Sequence, residues 1–303
     1  MEREASKRGY LREDFRLFHL RDSLAQRLDY HYHEFDKLIL LLNGQVTYLC
    51  EGQAYFLRPG DILLVRHDLI HRAVIDPTVP YERVVLWLGG AWLRRRSDPA
   101  APLDTCFDLA QERGFCLLRA APERRLVHLR LVQELEDALH SGAFGHAQLA
   151  DLCCQQLLIA VNRDFLESEA SAERPESYRK DPKIEQLLRY IAGHLDEELS
   201  VEALAGQLYL SRSYLMHRFK AVTGYTLHQY VTQKRLLRAG ELIRSGVPVM
   251  KAAEQTGFRE YSTFLRAFRA LFQLTPKAMA SGLGSPERAE SKPGAGREEL
   301  PEG

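Results

Sequence analysis

Residues 204–226, LAGQLYLSRSYLMHRFKAVTGYT, and residues 252–275, AAEQTGFREYSTFLRAFRALFQLT, are two versions of one pattern. Ala205-Gly206-Gln207 aligns with Ala253-Glu254-Gln255, Leu215 to Lys220 with Phe264 to Arg269, and Thr226 with Thr275. The offset is about 48 residues before the turn and about 49 after it, so the second copy carries one extra residue between its helices. Each copy reads as a short helix, a tight turn and a second helix. In the first, Ser200 caps a helix over Val201–Leu208, and Ser211 caps another that runs to about Thr223, where Gly224 stops it. In the second, Pro248 opens the leading helix, Gly257-Phe258 makes the turn and Glu260–Phe272 follows, with Thr275-Pro276 starting a terminal helix. A short helix, a tight turn and a second helix make a helix-turn-helix unit suited to the DNA major groove.

Between the copies, His228 to about Ser245 reads as one long helix carrying Lys234, Arg235 and Arg238. At 1.5 Å per residue, roughly 17 residues span roughly 26 Å, which puts the two second helices about one DNA turn apart. Lys183–Leu195 precedes the repeat as an amphipathic helix with Ile184, Leu187, Leu188 and Ile191 on its buried side. Residues 183–282 therefore form an all-α double helix-turn-helix domain. Polar, proline-bearing residues 168–182 read as a linker, and residues 283–303, rich in Gly, Pro, Glu and Ser, as a disordered tail.

The chain of 303 residues has 41 basic and 41 acidic side chains, yet residues 180–280 hold 15 Lys plus Arg against 9 Asp plus Glu. That local excess suits an anionic partner, and the repeat makes the partner nucleic acid. No apolar run approaches the ~20 residues of a membrane span, and MEREASKRGY lacks the apolar centre of a secretory signal, so a cytoplasmic location with no membrane partner is expected. The five cysteines, Cys50, Cys106, Cys116, Cys153 and Cys154, show no CxxC spacing and read as small buried hydrophobes.

Ahead of the linker, residues 1–14 form a charged arm, and residues 15–167 a separate domain that makes the chain α+β overall. Short apolar runs (Lys37–Leu42, Val46–Cys50, Tyr55–Leu57, Ile62–Val65, His71–Ile75 and Val84–Leu88) are broken by Asn43-Gly44, Glu51-Gly52 and Pro59-Gly60-Asp61. This is the punctuation of antiparallel hairpins, closing into a small barrel or a double-sheet roll. Ala91–Arg96 reads as a short basic helix, and two longer helices, Glu123–His140 and Ala147–Phe165, carry more apolar surface than packing on a barrel uses. The excess is expected to form a homodimer interface. Residues 97–122 carry no periodic signal.

His31-Tyr32-His33-Glu34-Phe35-Asp36-Lys37, then Gly44, Gly52, Pro59-Gly60-Asp61 and His71, resembles the cupin pattern. The resemblance implies a barrel whose paired and later histidines, with a glutamate, hold a metal. This chain has Lys37 where that glutamate is expected. Neutral imidazoles beside an ammonium make a poor divalent-ion site, so His31, His33, Lys37 and His71 are expected to line an effector pocket without a resident metal or cofactor. No nucleophile–base pair or phosphate-cradling glycine loop is present, so no catalytic residue is assigned.

Residues 183–282 resemble the AraC/XylS family of transcription regulators through Arg235, Ala239, Leu242, Ile243, Ala252-Ala253, Gly257-Phe258, Ser262, Phe264, Phe268, Arg269 and Thr275-Pro276. Two positions depart from the family pattern, Gln273 in place of glycine and Leu227 in place of proline. The resemblance implies base-reading side chains at Ser213, Met216 and His217 in the first unit and at Tyr261, Ser262, Leu265 and Arg266 in the second. It implies phosphate contacts from Arg212, Lys220, Lys234 and Arg269. It also implies double-stranded DNA and RNA polymerase as partners, activation of transcription, and a small-molecule effector, with a carbohydrate the preferred class. Two rival readings stand beside this one: a metal-dependent cupin enzyme with a DNA-binding appendage, and a regulator controlled by a protein partner.

Overall fold

Turn chemistry and alternating burial set the N-terminal architecture. The computed structural model describes residues 6–7, 11, 13–22, 31–51, 53–67, 69–76, 78–168, 178–272 and 274–281. Gly52, Gln273, most of the charged arm, residues 169–177 of the expected linker and the expected disordered tail lie outside them. The strands are β1 (Ser6–Lys7), β2 (Phe15–Asp22), β3 (His31–Tyr32), β4 (Asp36–Asn43), β5 (Val46–Cys50), β6 (Gln53–Leu57), β7 (Ile62–Val65), β8 (His71–Ile75), β9 (Tyr81–Leu88), β10 (Leu117–Leu118) and β11 (Tyr178–Lys180). They form two sheets, one ordered β1-β3-β8-β5-β6-β11 and the other β10-β7-β4-β9-β2. The double-sheet alternative therefore describes the fold better than a closed barrel. Only the β1–β3 pairing is parallel among the described strands.

The inward faces of the two sheets share one core, built from Val46, Tyr48, Tyr55 and Leu57 on one side and Ile39, Leu63, Val65 and Val85 on the other. The Tyr48 and Tyr81 hydroxyls meet at 2.8 Å across it. β5 alternates between buried and half-buried residues, as a strand with one wet face should. β4 is buried along Asp36–Leu41. The same apolar cluster takes in Trp92 and Leu93 of α1 (Gly90–Arg96) and Phe107 of α2 (Thr105–Arg113), so β4 loses the alternation of a strand with a wet face. The PGD turn is clamped by a buried carboxylate. Arg119 Nε and Nη2 donate to Asp61 Oδ1 and Oδ2 at 2.9 and 2.6 Å, and the Arg58 amide donates to Oδ2 at 2.8 Å. Removing one partner would strand a buried charge, a loss of about 3–5 kcal/mol.

α3 (Pro122–His140) and α4 (His146–Glu167) form a helical hairpin whose inner side is partly polar. His128 Nε2 lies 2.8 Å from Asp164 Oδ2, and Arg124 Nε donates to Asp164 Oδ1 at 2.6 Å. The apolar side of α3 divides differently from the single face that its spacing suggests. Val132 and Leu135 are buried, whereas Leu126, Leu129 and Leu139 are exposed. On α4, Leu149, Leu152 and Ile159 are exposed as well.

The chain divides into two compact units, residues 1–234 and 235–303, and the boundary falls inside the long helix α8 (Leu227–Arg244). The first unit thus includes the first helix-turn-helix, which the sequence reading grouped with the second. The end of the expected linker is ordered: β11 pairs with β6, and Asp181 caps α5 (Pro182–Gly193) by accepting from Lys183 and Ile184 amides. α5, α6 (Val201–Gln207) and α7 (Arg212–Thr223) close around Ile184, Leu187, Ile191, Leu204, Leu215 and Phe219. Each such side chain contributes about 1.5–3 kcal/mol when fully buried.

In the second unit, α9 (Val249–Gln255) precedes α10 (Tyr261–Phe272), and α11 (Pro276–Ala280) is capped by Thr275. Phe264, Phe268 and Phe272 form a buried aromatic stripe with ring centroids 5.3 and 4.4 Å apart. Gly240 admits the last ring, since a Cβ there would stand 2.9 Å from Phe272 Cζ.

The repeat extends to its turns. Leu210 N bonds Ala205 O at 2.9 Å in the first copy, and Phe258 N bonds Ala253 O at 3.0 Å in the second. Both turns pass through a left-handed residue, Gly257 with φ 79° in the second copy but Tyr209 with φ 53° in the first. Tyr209 is 94% exposed, so its side chain returns little packing for that conformation. Tyr209→Gly should stabilise the first unit by about 1 kcal/mol, seen as a raised denaturation midpoint. A lowered midpoint would contradict the strain at this turn.

Candidate nucleic-acid interface and imidazole cluster

Each reader helix is oriented by its anchors. Leu215, Phe219 and Thr223 are buried on α7, so Ser213, Met216, His217 and Lys220 face solvent. Ser211 Oγ caps the helix by accepting from Tyr214 N at 3.2 Å, and Gly224, with φ 81°, ends it. Arg212 is exposed but paired with Glu202 on α6 at 2.8 Å. Arg218 is committed to Asp181 at 2.6 Å, which ties α7 to the start of α5. On α10 the aromatic stripe leaves Tyr261, Ser262, Arg266 and Arg269 exposed, while Leu265 is only half-exposed.

Lys234 has a different setting from the other expected phosphate contacts. Its Nζ lies 2.7 Å from Glu51 Oε1, with both side chains largely shielded from solvent. Where a phosphate contact was expected, this ammonium faces a carboxylate. Local sequence carried no signal for Glu51 as its partner.

The second constellation sits where β3 and β8 pair, His31 opposite His71. The possible ligand atoms of His31, His33 and His71 all lie within 4.8 Å of one another, and all three residues are buried. The His31 and His71 rings are 4.4 Å apart and the His33 and His71 rings 5.3 Å. His71 Nδ1 donates to Leu69 O at 2.9 Å, which leaves Nε2 as the acceptor nitrogen. Burial first, then the Lys37 ammonium and the two neighbouring rings, pushes the His71 imidazole well below its usual 6.5. Lys37 is buried and stands 5.8 Å from the centre of the Trp87 ring, which stacks on Phe35 at 4.4 Å. Among the described residues no carboxylate joins the three imidazoles in a ligand-spaced group. Three imidazoles converge, but the nearby Lys37 ammonium is positive, and that does not fit a dication. The set suits a ligand with hydroxyl groups or negative charge.

A family model for the AraC-like ligand binding domain matches residues 17–143, and one for a helix-turn-helix domain matches residues 204–281. The chain belongs to the AraC/XylS family of transcription regulators. The HTH-type transcriptional activator RhaS of Salmonella typhimurium is 26% identical over 261 residues, 83% of this chain and 87% of its own length. The DNA-binding domain of AdpA, a global transcriptional factor solved with a target DNA, is 28% identical over 37% of this chain and all of its own, with a TM-score of 0.33. ToxT from Vibrio cholerae is 14% identical over 89% of this chain and 98% of its own, with a TM-score of 0.36.

The matched helix-turn-helix domain spans Arg212 to Arg269, and the matched ligand-binding domain spans the imidazole cluster. Seven residues were expected at bases, and six of these are exposed; Leu265 is the exception. Of the four expected at phosphates, Lys220 and Arg269 are exposed, Arg212 is exposed but paired, and Lys234 is engaged. Trp87 and Glu51 were missed. Trp87 lies opposite Lys37 in the β4–β9 ladder, and one aromatic within the apolar run of β9 is unremarkable from pattern alone.

The depressed His71 value has a definite sign. Its neutral form is favoured by folding, so its contribution is complete above the unfolded value near 6.5 and is lost as pH falls from there towards the lower folded value. Wild type should lose stability on acidification through this window by up to about 1.4 kcal/mol per pH unit more than His71→Asn, measured by urea unfolding. Identical slopes for the two proteins would refute the assignment.

Proposed function

We propose that this AraC-family regulator is a homodimeric activator of transcription that responds to a small molecule held at His31, His33, Lys37 and His71 and performs no catalysis. The observation that carries the DNA-reading part is the pair of reader helices, each anchored by buried aromatic or aliphatic residues and presenting exposed polar and cationic side chains on the other side. Activation, with RNA polymerase as a partner, is supported by the RhaS relative, itself described as a transcriptional activator. A cytoplasmic site of action follows from this role; no helix among the described residues is long and apolar enough to cross a membrane. A carbohydrate is the preferred effector class, because imidazole nitrogens and an ammonium both bond hydroxyl groups, and Trp87 offers an aromatic face.

Arg266 is the sharpest base-reading position, since a guanidinium can bond guanine O6 and N7 together. Selection from a random duplex library should show Arg266→Ala relaxing preference at one position, at about 1–3 kcal/mol. Lys220→Ala should weaken all sequences alike and reduce the salt slope by about 0.9. Equal, sequence-independent losses from both variants would sink these roles.

Dimerisation is assigned to the exposed apolar face of α3 and α4. A groove of about 360 Å³ at its foot is lined by Leu41, Leu42, Pro59, Pro122, Leu126 and Leu129 among others. Leu149→Glu with Leu152→Glu should give a monomer by sedimentation with an unchanged melting temperature, since both side chains are exposed within the chain. A persistent dimer would move the interface elsewhere.

A further inference from the structure

Ile70 lies between β7 and β8 of the sensor, yet it is fully buried in the hydrophobic cluster of the first helix-turn-helix, with Ile184, Leu215, Phe219 and Tyr230. The neighbouring β5–β6 turn supplies Glu51, which takes Lys234 of α8 in an ion pair at 2.7 Å. The two features are joined, because the Glu51 amide donates to Ile70 O at 3.1 Å. Glu51 holds φ 42°, in the left-handed region that side chains adopt at a cost, so the contacts around it must maintain the geometry. Both features adjoin the imidazole cluster: Ile70 precedes His71, and Cys50, which precedes Glu51, pairs with His71 in the β5–β8 ladder.

We infer that Ile70 and the Glu51–Lys234 pair form an autoinhibitory latch, which holds the first helix-turn-helix on the sensor and withholds Lys234 from DNA phosphates. The inference rests on the proposed reading of α7 and α10 as DNA readers and of the cluster as the effector site. Its regulatory logic is geometric. The cluster and the latch share one strand pair, so an effector that shifts His71 acts directly on Ile70 and Glu51. DNA and Glu51 compete for the same ammonium, so releasing one makes it available to the other.

The test uses the full-length chain without effector and a mixed-sequence DNA duplex, titrated over a range of salt. Glu51→Gln should bind more tightly and steepen the slope of log K against log salt by about 0.9, one added phosphate contact. The gain over wild type should then shrink about threefold across a fourfold rise in salt. Glu112→Gln, at an exposed site, removes the same charge outside the latch and should leave the slope unchanged. Lys234→Gln alone should also leave it unchanged, and in combination with Glu51→Gln should restore the wild-type slope. Ile70→Ala should steepen the slope as Glu51→Gln does, without altering charge. A Glu51→Gln slope equal to that of Glu112→Gln, or a wild-type slope that Lys234→Gln lowers by about 0.9, would overturn the latch while leaving DNA binding intact. Failure of wild type and every variant to bind duplex would overturn the DNA-binding reading itself.

Discussion

Burial of Phe219 on α7 and of Phe268 on α10 is the constraint on which the DNA-reading surface depends. A helix has one stripe to spend on its core, and once an i,i+4 pair takes it the identity of every outward residue follows. Leu215 with Phe219 and Phe264 with Phe268 thereby choose Ser213, Met216 and His217 on one helix and Tyr261, Ser262 and Arg266 on the other. The anchors differ in quality. Three phenylalanines hold α10, and Gly240 lets α8 approach the last of them closely, whereas α7 has one aromatic anchor and the shorter Leu215 and Thr223.

Much of this was legible because local chemistry and tertiary demand coincide. Asn43-Gly44 makes a hairpin where Gly44 holds φ 107° and a Cβ would meet Pro80 O at 2.9 Å, so glycine is needed both for conformation and for space. Ser200, Ser211 and Thr275 each cap the helix they precede. The cysteines, read as small hydrophobes, are all buried and free, and burial pushes the Cys50, Cys106 and Cys154 thiols up.

What stayed hidden depends on partners distant in the chain. β11 takes its order from the edge of β6, and nothing in Tyr178-Arg179-Lys180 announces a strand within a polar, proline-bearing segment. The α3 face failed because its apolar residues serve two different surfaces: spacing at three and four marks Leu126, Leu129, Val132, Leu135 and Leu139 alike, but only some meet the core. Cysteine, histidine and aspartate complete the hairpin instead, as in the buried His128–Asp164 pair. The three histidines were picked out from their motif, yet their convergence within 4.8 Å is a property of the β3–β8 pairing.

The two readers differ in what they offer a base edge, and the physical basis is hydrogen-bond capacity. Arg266 presents a planar fork that fits one base edge bidentately, with Tyr261 and Ser262 beside it. Ser213 and His217 offer single bonds in changeable directions, and Met216 offers only apolar contact. Arg212 is tied to Glu202, an exposed pair of small worth that phosphate can displace, but Lys234 is held in a shielded pair that competes more strongly. The first unit therefore combines the weaker base-reading set with the more encumbered phosphate set, and it is also the unit whose core accepts Ile70 of the sensor. Under the proposed reading, control applied there would act on the unit that offers base edges the fewer hydrogen bonds, and Arg266 would choose the sequence.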